Sequence, residues 1–376
     1  MNLSLEEASR GRANNIDFLR FFLASLVIFS HSYSLTLGSN DREPFSIATR
    51  GQRTGGELAV DGFFILSGFL IARSWISSRG PADYLRRRAL RIYPGFLAAV
   101  AFSTLCAGPL LQGEPSAYWR AFSWREFAIM SLNLDFYTPP SDVPVNGSLW
   151  SIRYEFLCYL AVAALGLVGL LSRRIVLVLG WLACLGLLAG QIYLGWQIPG
   201  SRLSWLYCYP GFWPRVMADF LSGVLFYSYR DRIVLTWPLL IGAALGLLAT
   251  GVAFPSMRAL PLAVPLLGGY LLFFAAYMPM GRLQHFAARG DFSYGLYLYA
   301  FPIQLILTRR VFRDLTPIAL FLLAWAITGL FAVLSWRLIE RPFMRLKGSS
   351  RPPEARPELA TVEAVRAPGA SAPSGE

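Results

Sequence analysis

Apolar runs long enough to cross a bilayer recur along this chain from residue 16 to residue 338. No other feature narrows the fold as much. In hydrocarbon every backbone N–H and C=O must be satisfied within the protein, so only helices and closed barrels can span. These runs are of helical length. They lie near 16–37, 58–77, 92–111, 149–171, 174–195, 215–229, 234–253, 259–279, 291–308 and 316–338. The expected fold is therefore all-α, a polytopic bundle of about ten transmembrane helices. Composition agrees, with 55% hydrophobic residues and 15% charged, where a soluble domain carries about 25% charged.

The formal charge is +12 and Lys347 is the only lysine. The arginines cluster at the ends of apolar runs, which points to topology and anionic headgroups rather than to nucleic acid. With a cytoplasmic N-terminus, the inner segments hold Arg10, Arg12, the "RSWISSRGPADYLRRRALR" loop, "SRR" at 172–174, "RDR" at 230–232, Arg282 and Arg289. The outer segments hold roughly half as many, "RRVFRD" at 309–314 being the awkward one. An even number of spans then leaves both termini cytoplasmic. The chain divides into a cytoplasmic N-terminal segment (1–13), a membrane domain (14–347) and a tail (348–376). The tail is rich in Pro, Ala and Glu, a composition that cannot build a core and predicts disorder. Outer loops at about 38–57 and 112–148 are long enough to carry function or partial order.

Cys106, Cys158, Cys184 and Cys208 form no C-x-x-C pair, so neither a metal centre nor a disulfide framework is predicted. The first run lacks a small-residue cleavage site and reads as a retained span. There is no visible internal repeat of the kind many transporters carry.

A few ionisable residues inside the apolar runs demand a reason. Arg20 and His31 lie eleven residues apart in "NNIDFLRFFLASLVIFSHSY". That is close to three turns, so both project from one helix face, roughly 16 Å apart. Arg20 falls near the inner surface, where snorkelling is the plain alternative to a functional role. His31 falls in the outer part of the core, as one of two histidines in the chain. Glu155, six residues into the fourth run, is placed by the same counting at a depth similar to that of His31. The two are expected to meet, the carboxylate orienting the imidazole. The alternative is a packing ion pair of Glu155 with Arg153 or Arg20.

In the second run, Asp61 reads as a helix cap or as the neutraliser of an arginine. Ser67 reads as a nucleophile or as a hydroxyl bonded to its own backbone, the second being usual in membrane helices. Arg86, Arg87, Arg88 and Arg91 crowd one inner helix end before Pro94. They anchor topology, and their planar forks are also suited to gripping phosphates. His285, in an inner loop, reads as solvated, and Asp291 as a cap.

The stretches "DFLRFFLASLVIFSHS", "AVDGFFILSGFLI", "YLRRRALRIYP", "NGSLWSIRYEFLCY", "FSYGLYLYAFP" and "IERPF", in this order, resemble the acyltransferase family 3 integral membrane proteins over about residues 14–346. The resemblance implies transfer of an acyl group, most often acetyl, to hydroxyls of glycans or lipids at the bacterial envelope. Acyl-CoA would be the cytosolic co-substrate, with no tightly bound cofactor and no metal. It places the catalytic histidine at His31 with Glu155 beside it, donor-binding arginines at Arg20, Arg86, Arg88 and Arg91, and Trp150 in an acceptor or supporting position; Asp61 and Ser67 of the second run are expected to serve as acceptor or support residues as well. Ala300 stands where many relatives have histidine. The implied protein is a multi-pass protein of the bacterial inner membrane, acting alone or with a separate periplasmic partner. Two other classes fit some of the same residues: a proton-coupled transporter, and a silent lipid- or glycan-binding partner.

Overall fold

A computed structural model describes residues 2–11, 13–112, 114–135, 145–200 and 204–346. Each expected apolar segment coincides with a helix. These are α1 (Ile16–Leu37), α2 (Gly55–Ser77), α3 (Pro81–Leu111), α4 (Gly147–Leu167) and α5 (Arg174–Tyr193). They continue with α6 (Trp213–Ser228), α7 (Trp237–Ala253), α8 (Leu260–Tyr277), α9 (Ser293–Ile306) and α10 (Pro317–Arg345). Seven of them, all but α6, α7 and α9, are long and apolar enough to cross a membrane by length and composition. The chain folds as a polytopic membrane helix bundle. Its only strands among the described residues are a two-residue pair, Leu3–Ser4 with Val234–Leu235. The tail expected to be disordered lies outside the described residues, as does Arg12.

The central helix is α2. Within its apolar window 72% is buried, against 17% for α5 at the rim. Its start is fixed by a capping box: Glu57 N–H donates to Thr54 Oγ1 at 3.1 Å and Thr54 N–H to Glu57 Oε2 at 2.9 Å. Glycines bring α2 against α6. A Cβ on Gly68 would lie 2.0 Å from the Phe220 carbonyl oxygen, and one on Gly223 the same distance from that of Ile65. Small residues that let two backbones touch are the common adhesive of membrane helices, where lipid supplies no hydrophobic drive for helix pairing.

The largest boundary difference is at α3. The apolar pattern starts this span at residue 92 and leaves the arginines in a loop; the helix starts at Pro81 instead. Proline at the first helical position costs nothing, because its N–H would have no partner there. Arg86 to Arg91 therefore sit on helix faces and diverge. The basic stretch at 309–314 has a local explanation: Arg310 donates to the carbonyls of Leu111 and Gln112 at 2.9 and 2.8 Å, satisfying groups that the end of α3 leaves unpaired. Among its described residues the 112–148 connection holds short helices at Pro115–Ala121 and Trp124–Leu132.

Candidate active site

Between α1, α2, α3, α4 and α9 lies a partly open cavity with room for about 100 Å³. Arg20, Arg88, Arg91 and Ser293 line one end of it. Ser67, Glu155 and Tyr159 line the middle, and Val60, Phe63, Ser151 and Tyr297 the far end.

The arginine end is built around Asp291, in the connection before α9. Its carboxylate accepts from Arg20 at 3.0 Å, from Arg91 and from the Ser293 hydroxyl at 2.5 Å. It also takes the Ser293 backbone N–H at 3.2 Å, so the expected cap is present as well. Burial alone would raise its pKa; the Arg91 and Arg20 guanidiniums and the Ser293 hydroxyl outweigh that and hold it well below the usual carboxylate range. Arg91 also lies over the Tyr294 ring, 5.6 Å from its centre. Two guanidiniums thus share one carboxylate. Arg88 adds a third, and its Nε is buried with no hydrogen-bond partner. Near them Glu340, held by Ser335 at 3.0 Å, keeps one buried carboxylate oxygen unbonded. Asp17, Asp291 and Glu340 lie among these three guanidiniums, so what this end offers an anionic guest is the unsatisfied buried donor of Arg88.

Arg88 and Arg91 are three residues apart and face inward. Arg86 faces away, donating to the Leu346 carbonyl at 2.8 Å, and Arg87 pairs with Asp83 at 2.9 Å. Helix periodicity thus splits the four-arginine cluster, and Arg86 does not border the cavity.

Half-way along, Glu155 Oε1 accepts from the Tyr159 hydroxyl at 2.5 Å and from the Ser67 hydroxyl at 3.1 Å. Tyr84 steadies this group by donating to the Tyr159 carbonyl at 3.0 Å. Ser67 bonds across the cavity rather than to its own helix. Arg153 pairs with Asp135 at 2.9 Å, and among the described residues no salt bridge reaches Glu155, so neither packing alternative for Glu155 forms.

The expected meeting of His31 and Glu155 does not occur. Leu23 of α1 packs on Gly62 of α2, where an added Cβ would lie 3.1 Å from its side chain, and Ser30 packs on Gly56 at 3.0 Å. The helices are antiparallel, so Ser67 and its partner Glu155 lie at the depth of Arg20. His31 is eight residues beyond Leu23, and Ser67 five residues beyond Gly62 in the other direction. The separation is roughly 20 Å along the bundle. The reason is that α4 does not start at the surface. Val145, Asn146, Ser148 and Leu149 before and at its start are already buried, and Asn146 donates to Ser103 Oγ at 3.0 Å and to the Leu298 carbonyl at 2.9 Å. Counting depth from the helix end therefore puts Glu155 too near the outer face.

His31 lies beyond the far end of the cavity. Its ring meets the Phe301 ring edge-on at 5.3 Å, and its Nδ1 is buried without a hydrogen-bond partner. Phe301 in turn packs over Gly147, where an added Cβ would lie 3.0 Å from the ring. Ala300 is buried in the same helix, α9.

Asp61 faces α6 and not the cavity. It binds Arg215 at 2.7 Å and approaches Arg53 at 3.8 Å, which is the arginine-neutralising role among those expected. Asp219 is buried beside this group. Trp150 is half-buried in an aromatic cluster, 5.1 Å from the Phe212 ring and 5.5 Å from that of Tyr154. His285 is exposed in its connection. Sequence reasoning missed Tyr159, Tyr297, Arg215 and the clamping role of Asp291. The last two had a signal: Arg215 and Asp219 stand four residues apart in an apolar run, and Asp291 is an acid directly ahead of one.

A family model described as an acyltransferase domain matches residues 13–338. An O-acetyl transferase of Shigella phage Sf6 is 26% identical over 362 residues, covering 89% of this chain and 96% of the relative. Nodulation protein 10 of Rhizobium leguminosarum bv. viciae is 28% identical over 383 aligned positions, covering 91% and 96% respectively. No solved structure matches the chain.

Proposed function

The chain belongs to acyltransferase family 3, a multi-pass membrane O-acyltransferase, and on that premise we propose that it moves an acetyl group from cytosolic acetyl-CoA to a hydroxyl of an envelope or exported glycan or glycolipid. The arginine-rich end of the bundle is cytoplasmic by the positive-inside rule. On this reading the membrane is the inner membrane of a bacterium, and acetyl-CoA is a co-substrate rather than a bound cofactor.

The observation that carries the reading is the cavity itself. Three guanidiniums line one end of it, one with an unsatisfied donor, and its other end lies on the side of the only histidine inside a membrane helix. Arg20, Arg88 and Arg91 suit the nucleotide phosphates, which arginine binds through two donors at once. Arg86, at the rim, adds charge without lining the cavity. The pantetheine arm is narrow and carries amides, and Ser67, Glu155 and Tyr159 offer those amides partners midway. Glu155 thus serves the donor path and not the imidazole.

His31 takes the acceptor hydroxyl proton as the oxygen attacks the thioester carbonyl. The C–S bond breaks and the imidazolium returns the proton to the departing CoA thiolate. Among the described residues no carboxylate pairs with His31, so a neutral imidazole is available as base; proton transfer of this type is worth typically 10²–10⁴-fold. Trp150 and its aromatic neighbours offer the acceptor sugar a stacking surface at the opposite end. Asp61 acts at a distance by holding Arg215.

The test is transfer of radiolabelled acetyl from acetyl-CoA to envelope glycans by purified protein in lipid. Wild type transfers label, and His31→Ala loses at least 100-fold while keeping its melting transition. Full activity in His31→Ala would remove the assigned base; no consumption of acetyl-CoA by wild type would remove the transferase reading.

A further inference from the structure

Among the described residues, two buried atoms where α1 meets α9 have no hydrogen-bond partner: Nδ1 of His31 and Oε1 of Gln304. Gln304 is fully buried. Its Nε2 donates to the Ile28 carbonyl at 2.9 Å and to Ser32 Oγ at 2.8 Å. It thus grips α1 three residues before His31 and one residue after it. Both amide protons are committed, and turning the amide over would set Oε1 against the Ile28 carbonyl. The unbonded oxygen is therefore held at the turn of α1 that carries His31. Phe301, three residues before Gln304 and on the same face of α9, meets the His31 ring edge-on at 5.3 Å. The neighbouring hydroxyls are already used: Ser32 donates to the Ile28 carbonyl at 2.8 Å and Ser34 to the His31 carbonyl at 3.1 Å. A buried polar atom without a partner is costly, and here one residue lacks a donor that the other can supply.

We propose that Gln304 is the positioning residue for His31: its Oε1 accepts the Nδ1–H of the imidazole and so leaves Nε2 bare for the acceptor hydroxyl. The inference rests on His31 being the base proposed above. A neutral imidazole carries one proton, and the hydrogen bonds of the ring decide which nitrogen holds it. Only the bare nitrogen can take a proton from the attacking hydroxyl. A turn of the ring about its side-chain bonds closes the contact, and catalytic hydrogen bonds commonly tighten only in the substrate complex. The proton on Nδ1 stays in place throughout, while the one taken at Nε2 leaves to the CoA thiolate. An amide orients the ring without adding a charge to the membrane interior, where an ionised carboxylate would be costly to bury.

The chain has two histidines, His31 and His285, so nitrogen NMR of histidine-labelled protein shows two imidazoles, and His31→Ala assigns them. Protein in lipid nanodiscs is measured with CoA present at pH 8. Wild type should hold the His31 proton on Nδ1, the tautomer that a free imidazole disfavours. Gln304→Met, similar in size and without the amide, should return the proton to Nε2. In transfer of acetyl from acetyl-CoA to an envelope glycan extract, the same variant should lower turnover at least about 10-fold and leave KM for acetyl-CoA within about 2-fold. A residue that merely held α1 to α9 would change the melting temperature and leave the tautomer alone. A wild type with the proton on Nε2 overturns the proposal, as does a tautomer or a turnover that Gln304→Met leaves unchanged. Should Gln304→Met not fold, Gln304→Asn, which draws the amide back by one methylene, decides by the same two readings. Full activity in His31→Ala would instead remove the base itself, a separate result, because the tautomer is read without turnover.

Discussion

Replacing Glu155 by glutamine separates two roles that the sequence alone cannot distinguish. If Glu155 steadied His31, the loss would fall on the chemical step. In the structure it accepts from Tyr159 at 2.5 Å and from Ser67 at 3.1 Å, at the depth of Arg20. A hydrogen bond to a charged group contributes about 1.5–3 kcal/mol and a neutral one about 0.5–1.5 kcal/mol. Glutamine keeps the one oxygen that accepts both bonds and loses the charge, so a bond that Glu155 accepts from a donor amide weakens by about 1 kcal/mol. That corresponds to roughly 5-fold. Because the group lines the donor path, the change should appear as a higher KM for acetyl-CoA, with turnover nearly unaltered. Thioester consumption followed over a range of acetyl-CoA concentrations reads both constants. A roughly 100-fold slower turnover at unchanged KM would refute the reasoning and restore Glu155 to the imidazole.

Two further outcomes follow from the packing and the charges. Gly68→Ala and Gly223→Ala each drive a Cβ to 2.0 Å from a carbonyl oxygen of the facing helix. Backbone cannot yield as a side chain can, so each should cost about 3 kcal/mol, the upper end for overpacking, seen as a lower melting temperature in lipid. Asp291→Asn leaves Arg20 and Arg91 without their shared counter-charge. Removing one partner of a buried pair costs about 3–5 kcal/mol; with the three side chains 12–21% exposed, about 2–3 kcal/mol is expected. The folded pKa of Asp291 is depressed. Its contribution is therefore complete above the unfolded value near 3.9 and is lost only as pH falls through the lower folded one. The stability gap between wild type and Asp291→Asn should stay flat from pH 8 to pH 5; a gap that closes over that range would show the clamp is not the ionised group described.

Much of this architecture is legible in the sequence. Helices occupy every expected segment, because a long apolar run in a bilayer can satisfy its backbone only as a helix, and the shorter runs of α6, α7 and α9 are packed among the longer ones. The arginine cluster is legible as a feature, but its use is not. Only the true helix start at Pro81 shows that Arg88 and Arg91 turn inward while Arg86 and Arg87 turn out. Depth is the least legible quantity. Counting residues from a helix end works when that end lies at the surface, as for Arg20. It fails for Glu155, because the segment before α4 is sunk among Ser103, Leu298 and Phe301. Partners contributed by distant segments, such as Glu155 for Ser67 or Asp291 for Arg20, leave no periodic trace in the chain.

The claim on which the account depends is that the cavity between Arg88 and Tyr297 receives the arm of the donor. Ser67→Cys, in a background lacking the four native cysteines, places a thiol at its midpoint. Alkylation of that thiol in nanodiscs by a small maleimide, with and without CoA, tests the claim directly. Saturating CoA should slow labelling at least 10-fold, and Arg88→Ala should abolish the protection at the same CoA concentration. Labelling at an unchanged rate, in protein that demonstrably binds CoA, would place the donor elsewhere and contradict the account.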